Sequence, residues 1–105
     1  MVESIGIIGL GYVGLKEAVN VSNVGINVVG IDINISKLEK LNSGHSPIST
    51  VDNSKIRKYL DLGCSFSSDA VHLKKTSIII VAVPTPLTDY GEPDLTFIRS
   101  ALNSI

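Results

Sequence analysis

The chain reads as an open parallel α/β sheet of strand order 3-2-1-4 with helices on both faces, and three observations predict this. Short isoleucine- and valine-rich runs alternate with stretches of helical periodicity along the 105 residues. The strongest runs, "SIGIIGL" and "SIIIVAV", are apolar almost throughout, as strands covered on both faces are. Strands that alternate with helices pair in parallel through right-handed crossovers. Four of them in sequence order then make one half of a doubly wound sheet plus its first return strand.

The elements follow in order. Ser4–Leu10 is a strand. Val13, Leu15, Ala18, Val19 and Val21 mark a helix running to Val24, with Gly25 as its stop. Asn27–Ile33 is the second strand and carries Asp32 near its end. Ile35, Leu38 and Leu41 at three-residue spacing predict a helix over Asn34–Asn42, with Gly44 as its exit. His45–Thr50 is a Ser/Pro loop. Ile56, Tyr59 and Leu60 share one side of a helix over Asp52–Leu60, capped by Asp52, Asn53 or Ser54. Cys64–Ser67 is a brief strand and Ser68–Lys75 a short helix. Ser77–Val83 is the fourth strand, which Pro84 ends. Leu87–Pro93 is rich in turn residues, and Asp94 opens a last helix with Leu95, Ile98, Ala101, Leu102 and Ile105 along one side. The helical pattern still runs at Ile105, so the chain reads as the front end of something longer.

Composition narrows the function. With 44 % hydrophobic and 18 % charged residues, a packed core is expected rather than disorder. A net charge of −1 offers no basic excess for a nucleic-acid partner. Cys64 is the one cysteine, which rules out an internal disulfide and a paired-cysteine metal cluster; it reads as an inert core thiol. No apolar run approaches the roughly 20 residues of a membrane helix. Met1 and Val2 lead straight into Glu3 and the first strand without a signal-peptide pattern, so the expected setting is reducing and cytoplasmic. His45 and His72 have no carboxylate at useful spacing and read as loop or surface residues.

The chemistry concentrates at Gly9, Gly11 and Gly14, which form G-x-G-x-x-G. Alone the pattern is weak. Here it follows a strand, opens a helix and is followed by a second strand that ends in an acid, Asp32, eighteen residues beyond Gly14. Gly9 permits a sharp turn, Gly11 lets a pyrophosphate approach the backbone, and Gly14 lets the helix lie close to the strand. The helix start then offers unpaired N–H groups and a positive dipole end to phosphates. Asp32 can accept hydrogen bonds from adenosine ribose hydroxyls and would repel a 2′-phosphate. The expected cofactor is therefore NAD rather than NADP, in a Rossmann-type domain. The competing reading is a glycine turn in a nucleotide-free α/β domain. Tyr12 fits either a phosphate-side loop residue or simple packing.

The stretches "GLGYVGL", "GIDIN", "KLNSGHSPI" and "VAVPTPLTDYGEPDLTFI" together resemble the N-terminal domain of the UDP-glucose/GDP-mannose dehydrogenase family, UDP-N-acetylmannosamine dehydrogenases among them. The resemblance covers nearly the whole chain, and "VPTP" followed by G-x-P-D-L is more specific than the glycines. It implies residues 1–105 are an incomplete NAD-binding domain with the substrate domain absent. The family oxidises the C6 alcohol of a nucleotide sugar to the carboxylate in two NAD-dependent steps, an activity of polysaccharide biosynthesis. It further implies that Gly9, Tyr12, Val13 and Gly14 line the pyrophosphate, with Asp32 and Lys37 at the adenosine ribose. Val83, Pro84 and Thr85 would border the cofactor beyond the fourth strand, where an open parallel sheet places its ligands.

Two departures from the family pattern stand out. Lys16 and Glu17 replace its usual Pro and small or apolar residue after the third glycine, without removing an N–H donor from the first turn. "STVDN" replaces its frequent E-P-G. The family's nucleophilic cysteine, catalytic lysine and sugar-binding residues belong further downstream, and Cys64 does not match the nucleophile. The chain alone is expected to bind NAD weakly and to catalyse nothing. Its fourth strand would expose an apolar edge and favour self-association. The rival readings are a stand-alone NAD-binding regulatory module, a hydroxyacid- or ketopantoate-type dehydrogenase, and an inactive remnant.

Overall fold

The computed structural model describes residues 4–82. Its elements are β1 (Ser4–Ile8), α1 (Tyr12–Asn23), β2 (Asn27–Ile31), α2 (Ile35–Asn42), α3 (Asn53–Asp61), β3 (Ser65–Ser67), a 3-10 segment (Ala70–Lys75) and β4 (Ile78–Val81). The four strands form one sheet of order β3-β2-β1-β4, parallel at every pairing. This is the Rossmann-type order expected from the sequence. The helix expected from Asp94 and the loop before it lie outside the described residues.

The register divides the side chains between two faces. Ile5 pairs with Val28 and Ile7 with Gly30, which in turn pairs with Phe66. These residues point to the face where Leu15, Ala18 and Val19 of α1, Leu38 and Leu41 of α2, and Ile56 and Tyr59 of α3 form the main core. Ile8 and Ile31, which also pair, belong to a smaller cluster with Ala70 and Leu73 of the 3-10 segment. The chain moves from β1 to β2 to β3 in one direction and then returns past both to β4. Crossovers of one hand must put the outward and return connections on opposite faces. The return leg carries the short helix expected over Ser68–Lys75, as a 3-10 helix over Ala70–Lys75. It is only six residues long, and short helical pieces commonly take the 3-10 form. Asp69 caps it by accepting from the Val71 amide at 2.9 Å.

Three smaller expectations also shift. The first two strands end at Ile8 and Ile31, two residues earlier than the apolar runs, because Leu10 and Ile33 lie beyond the ladder. Ile35, which the three-residue spacing puts in line with Leu38 and Leu41, is 55 % exposed, and Val13, which the resemblance places at the pyrophosphate, is 70 % exposed. The cap of α3 is Asp52, but its side chain makes no capping bond, while Asn53 Oδ1 accepts the Ser46 amide instead. Cys64 is buried as expected, and burial pushes its thiol pKa up. His45 and His72 are exposed, also as expected.

Tyr59 ties the outer strand to the core. Its ring stacks on Phe66 with centroids 4.3 Å apart. Its buried hydroxyl lies 2.6 Å from the Ser65 carbonyl and 3.2 Å from that of Val28, so one donor bridges β2 and the start of β3. Tyr59→Phe keeps the stacking and loses this bridge. It should lower unfolding stability by about 1 kcal/mol in a urea titration, with β3 amides exchanging fastest.

Candidate functional site

The candidate site lies at the carboxyl ends of β1, β2 and β4. Each ladder continues one residue past its strand. The Gly9 amide donates to Ile31 O at 2.7 Å, Asp32 to Ser67 O at 3.1 Å, and Ala82 to Ile8 O at 2.8 Å. The turn out of β1 and the acid at the end of β2 are thereby brought side by side.

Gly9 makes the turn with φ +98°, a conformation that L side chains rarely adopt. The chain then enters α1 with Gly11 as N-cap. Gly14 is held by close approach: a Cβ there would sit 1.7 Å from the Gly9 carbonyl oxygen and 3.3 Å from the Ala82 Cβ. Gly11 differs, since a Cβ there would meet nothing within 4 Å. Its φ of −82° is open to any residue, so packing among the described residues does not require a glycine at 11. The first intrahelical bond runs from the Leu15 amide to Gly11 O at 3.0 Å. The amides of Tyr12, Val13 and Gly14 therefore have no partner within the helix, at its electropositive end. Tyr12 is 63 % exposed, which favours the loop-side reading over packing. Lys16 is exposed and Glu17 half-buried, both further along α1.

Asp32 is almost buried, and both of its carboxylate oxygens have partners. Its Oδ1 accepts the Asn34 amide at 2.9 Å, and its Oδ2 accepts the Leu10 amide at 2.9 Å and Lys37 Nζ at 3.1 Å. Burial pushes its pKa up, but the Asn34 and Leu10 amides and the Lys37 ammonium outweigh that, and the net shift is downward. The carboxyl is thus held as the anion. Lys37 reaches it because Asn34 caps α2, accepting the Lys37 amide at 3.1 Å and setting the first turn.

Of the residues expected from sequence, Gly9, Gly11, Tyr12, Val13, Gly14, Asp32 and Lys37 come together at this end of the sheet. Val83, Pro84 and Thr85 lie outside the described residues, although Ala82, just before them in sequence, sits beside Gly14. The sequence reading missed the Leu10 and Asn34 amides that grip Asp32. It also missed the exposed Ile33 (65 %) and Ile35 that flank Asp32 and Asn34 along the chain. Among the described residues there is no cluster of three or more potential metal ligands, and no helix is long and apolar enough to cross a membrane.

The sequence that builds this end of the sheet matches a known domain. Residues 3–105 match the "UDP-glucose/GDP-mannose dehydrogenase family, NAD binding domain". The chain belongs to this family. The UDP-N-acetyl-D-glucosamine 6-dehydrogenase of Pseudomonas aeruginosa is 37 % identical over 101 residues, covering 96 % of this chain and 23 % of that protein. Protein CapL of Staphylococcus aureus is 35 % identical over 105 residues, covering all of this chain and 24 % of its own length. Among solved structures, a UDP-glucose dehydrogenase from Pyrobaculum islandicum superposes with a TM-score of 0.84 at 31 % identity, over 99 % of this chain and 25 % of that one. The chain thus spans about a quarter of the length of these relatives. The cofactor of the domain is NAD, and the glycine cradle and free helix amides described above fit a dinucleotide pyrophosphate.

The two inner glycines should respond differently to alanine. Gly14→Ala forces a Cβ onto backbone and should cost about 2–3 kcal/mol of unfolding stability. Gly11→Ala should stay within about 1 kcal/mol of the parent, yet weaken NAD binding at least about tenfold, because the added methyl holds the pyrophosphate off the helix amides at the cost of about one charge-assisted hydrogen bond. Paired urea and calorimetric titrations separate the two.

Proposed function

We propose that this chain is the cofactor-holding part of a nucleotide-sugar 6-dehydrogenase, acting on a UDP-sugar of polysaccharide biosynthesis in the cytoplasm. Gly11 carries the reading: it is a glycine that the described packing does not need, at a helix start whose first amides have no partner within the helix. The amides of Tyr12, Val13 and Gly14 would receive the pyrophosphate, with Gly9 shaping the turn. Asp32 would accept from the adenosine ribose hydroxyls, with Lys37 beside it. Val83, Pro84 and Thr85 would border the nicotinamide end. Bound NAD supplies the hydride acceptor for oxidation of the sugar's C6 alcohol. The chain's own residues bind and orient it. Residues 1–105 are proposed as one NAD-binding domain, and the sugar chemistry is assigned to the part of the relatives this chain does not span. The names of the relatives, which include UDP-N-acetyl-D-mannosamine dehydrogenase and UDP-glucose 6-dehydrogenase, support a UDP-sugar substrate.

Calorimetric titration of the chain with NAD should give saturable binding, weakened roughly tenfold to hundredfold by Asp32→Ala and weaker for NADP than for NAD. It should give no turnover of a UDP-sugar. Equal binding of both cofactors would remove Asp32 from the ribose.

Self-association belongs to the same proposal. β1 is the one partner of β4 among the described residues, and Ile78 and Val81 on β4 are 44 % and 42 % exposed. An apolar strand edge invites pairing with a second copy. Sedimentation velocity should show a dimer that dissociates on dilution and is lost in Ile78→Lys; a monomer at high concentration would refute it.

A further inference from the structure

The middle of the glycine loop is held by a side chain and not by the sheet. The Gly9 amide is fixed by Ile31 O, and Gly11 O is fixed by the Leu15 amide. Between them the buried Leu10 amide has a single acceptor among the described residues, Asp32 Oδ2 at 2.9 Å. Asp32 is itself immobilised, by the Asn34 amide on Oδ1 and by Lys37 on Oδ2. A buried amide without an acceptor is costly, so the position of Leu10 depends on this carboxylate.

We propose that Asp32 is a positioning residue for the phosphate-side loop: through the Leu10 amide it holds the segment Gly9–Gly11 in the shape that leaves the α1 amides open. It thereby joins the ribose end and the phosphate end of the site into one unit. The proposal rests on the NAD reading of the preceding subsection but makes a separate demand. If Asp32 served the ribose alone, its removal would leave a ribose-free anion untouched, or help it. A negative charge would be gone and the Lys37 ammonium released, and both changes favour an anion at the start of α1. If Asp32 anchors the loop, its removal weakens that same anion.

Backbone amide exchange, followed by NMR on the ligand-free 105-residue chain, decides the anchor without any ligand. In Asp32→Ala the Leu10 amide should exchange about tenfold faster or more, the effect of losing one hydrogen bond to a charged acceptor, while Gly9 stays protected by Ile31. Asp32→Asn retains a side-chain oxygen able to accept from Leu10 and should restore most of the protection. Titration of the same samples with inorganic pyrophosphate should show weaker binding in Asp32→Ala than in the parent. Unchanged Leu10 exchange in Asp32→Ala, acceleration spread evenly over the chain, or tighter pyrophosphate binding would each overturn the proposal. If pyrophosphate leaves the parent's spectrum unmoved while Leu10 responds as expected, the NAD reading of the loop fails and the anchor stands.

Discussion

The structure depends on how closely α1 lies on the end of β1. With a Gly14 Cβ position 1.7 Å from the Gly9 oxygen, no side chain fits between helix and strand. The chain must therefore reverse into the helix within three residues, which the left-handed backbone at Gly9 permits. From that contact Leu15, Ala18 and Val19 become core residues against Ile5, Ile7 and Val28. The same contact aims the start of α1 across the end of the sheet. Packing and function thus have one origin: the helix that covers the core also presents its unpaired amides where strands end.

Parallel pairing turns that local geometry into a site. In a parallel sheet all carboxyl ends lie together, so the turn after β1, the acid after β2 and the exit of β4 converge without any contact designed between them. The extra hydrogen bonds from Gly9, Asp32 and Ala82 fix how they converge. Asp32 is nearly buried, which alone would favour its neutral form. Three donors reverse that: the Leu10 amide, the Asn34 amide at the cap of α2 and the Lys37 ammonium. The charge on Asp32 is therefore a property of the fold rather than of the residue alone.

The strand order, the main core and the role of Gly14 were legible in the sequence because each leaves a mark in residue type or period. Apolar runs report burial on two faces, and a glycine at fixed spacing reports a close approach. Ile35 was misread by the same logic. Periodicity puts Ile35 in line with Leu38 and Leu41, yet it sits at the first position of α2 and is 55 % exposed. The grip of Leu10 and Asn34 on Asp32 was not legible at all. Both donors are backbone amides, and any residue except proline supplies one.

Lys37 shows how a charge pair shapes the choice of cofactor. The Asp32–Lys37 contact is partly shielded, with the side chains 11 % and 23 % exposed, so solvent screens it less than it screens a surface pair. On the proposed assignment, ribose hydroxyls can donate to Asp32 while Lys37 remains in place, because a carboxylate has more acceptor sites than the three already used. A 2′-phosphate brings acceptors and negative charge but no donor in its dianionic form. To bind, it would have to draw Lys37 away from Asp32 and leave the acid facing it. The lysine that would offer a phosphate its counter-charge is already committed to the acid, and this commitment favours the unphosphorylated ribose of NAD.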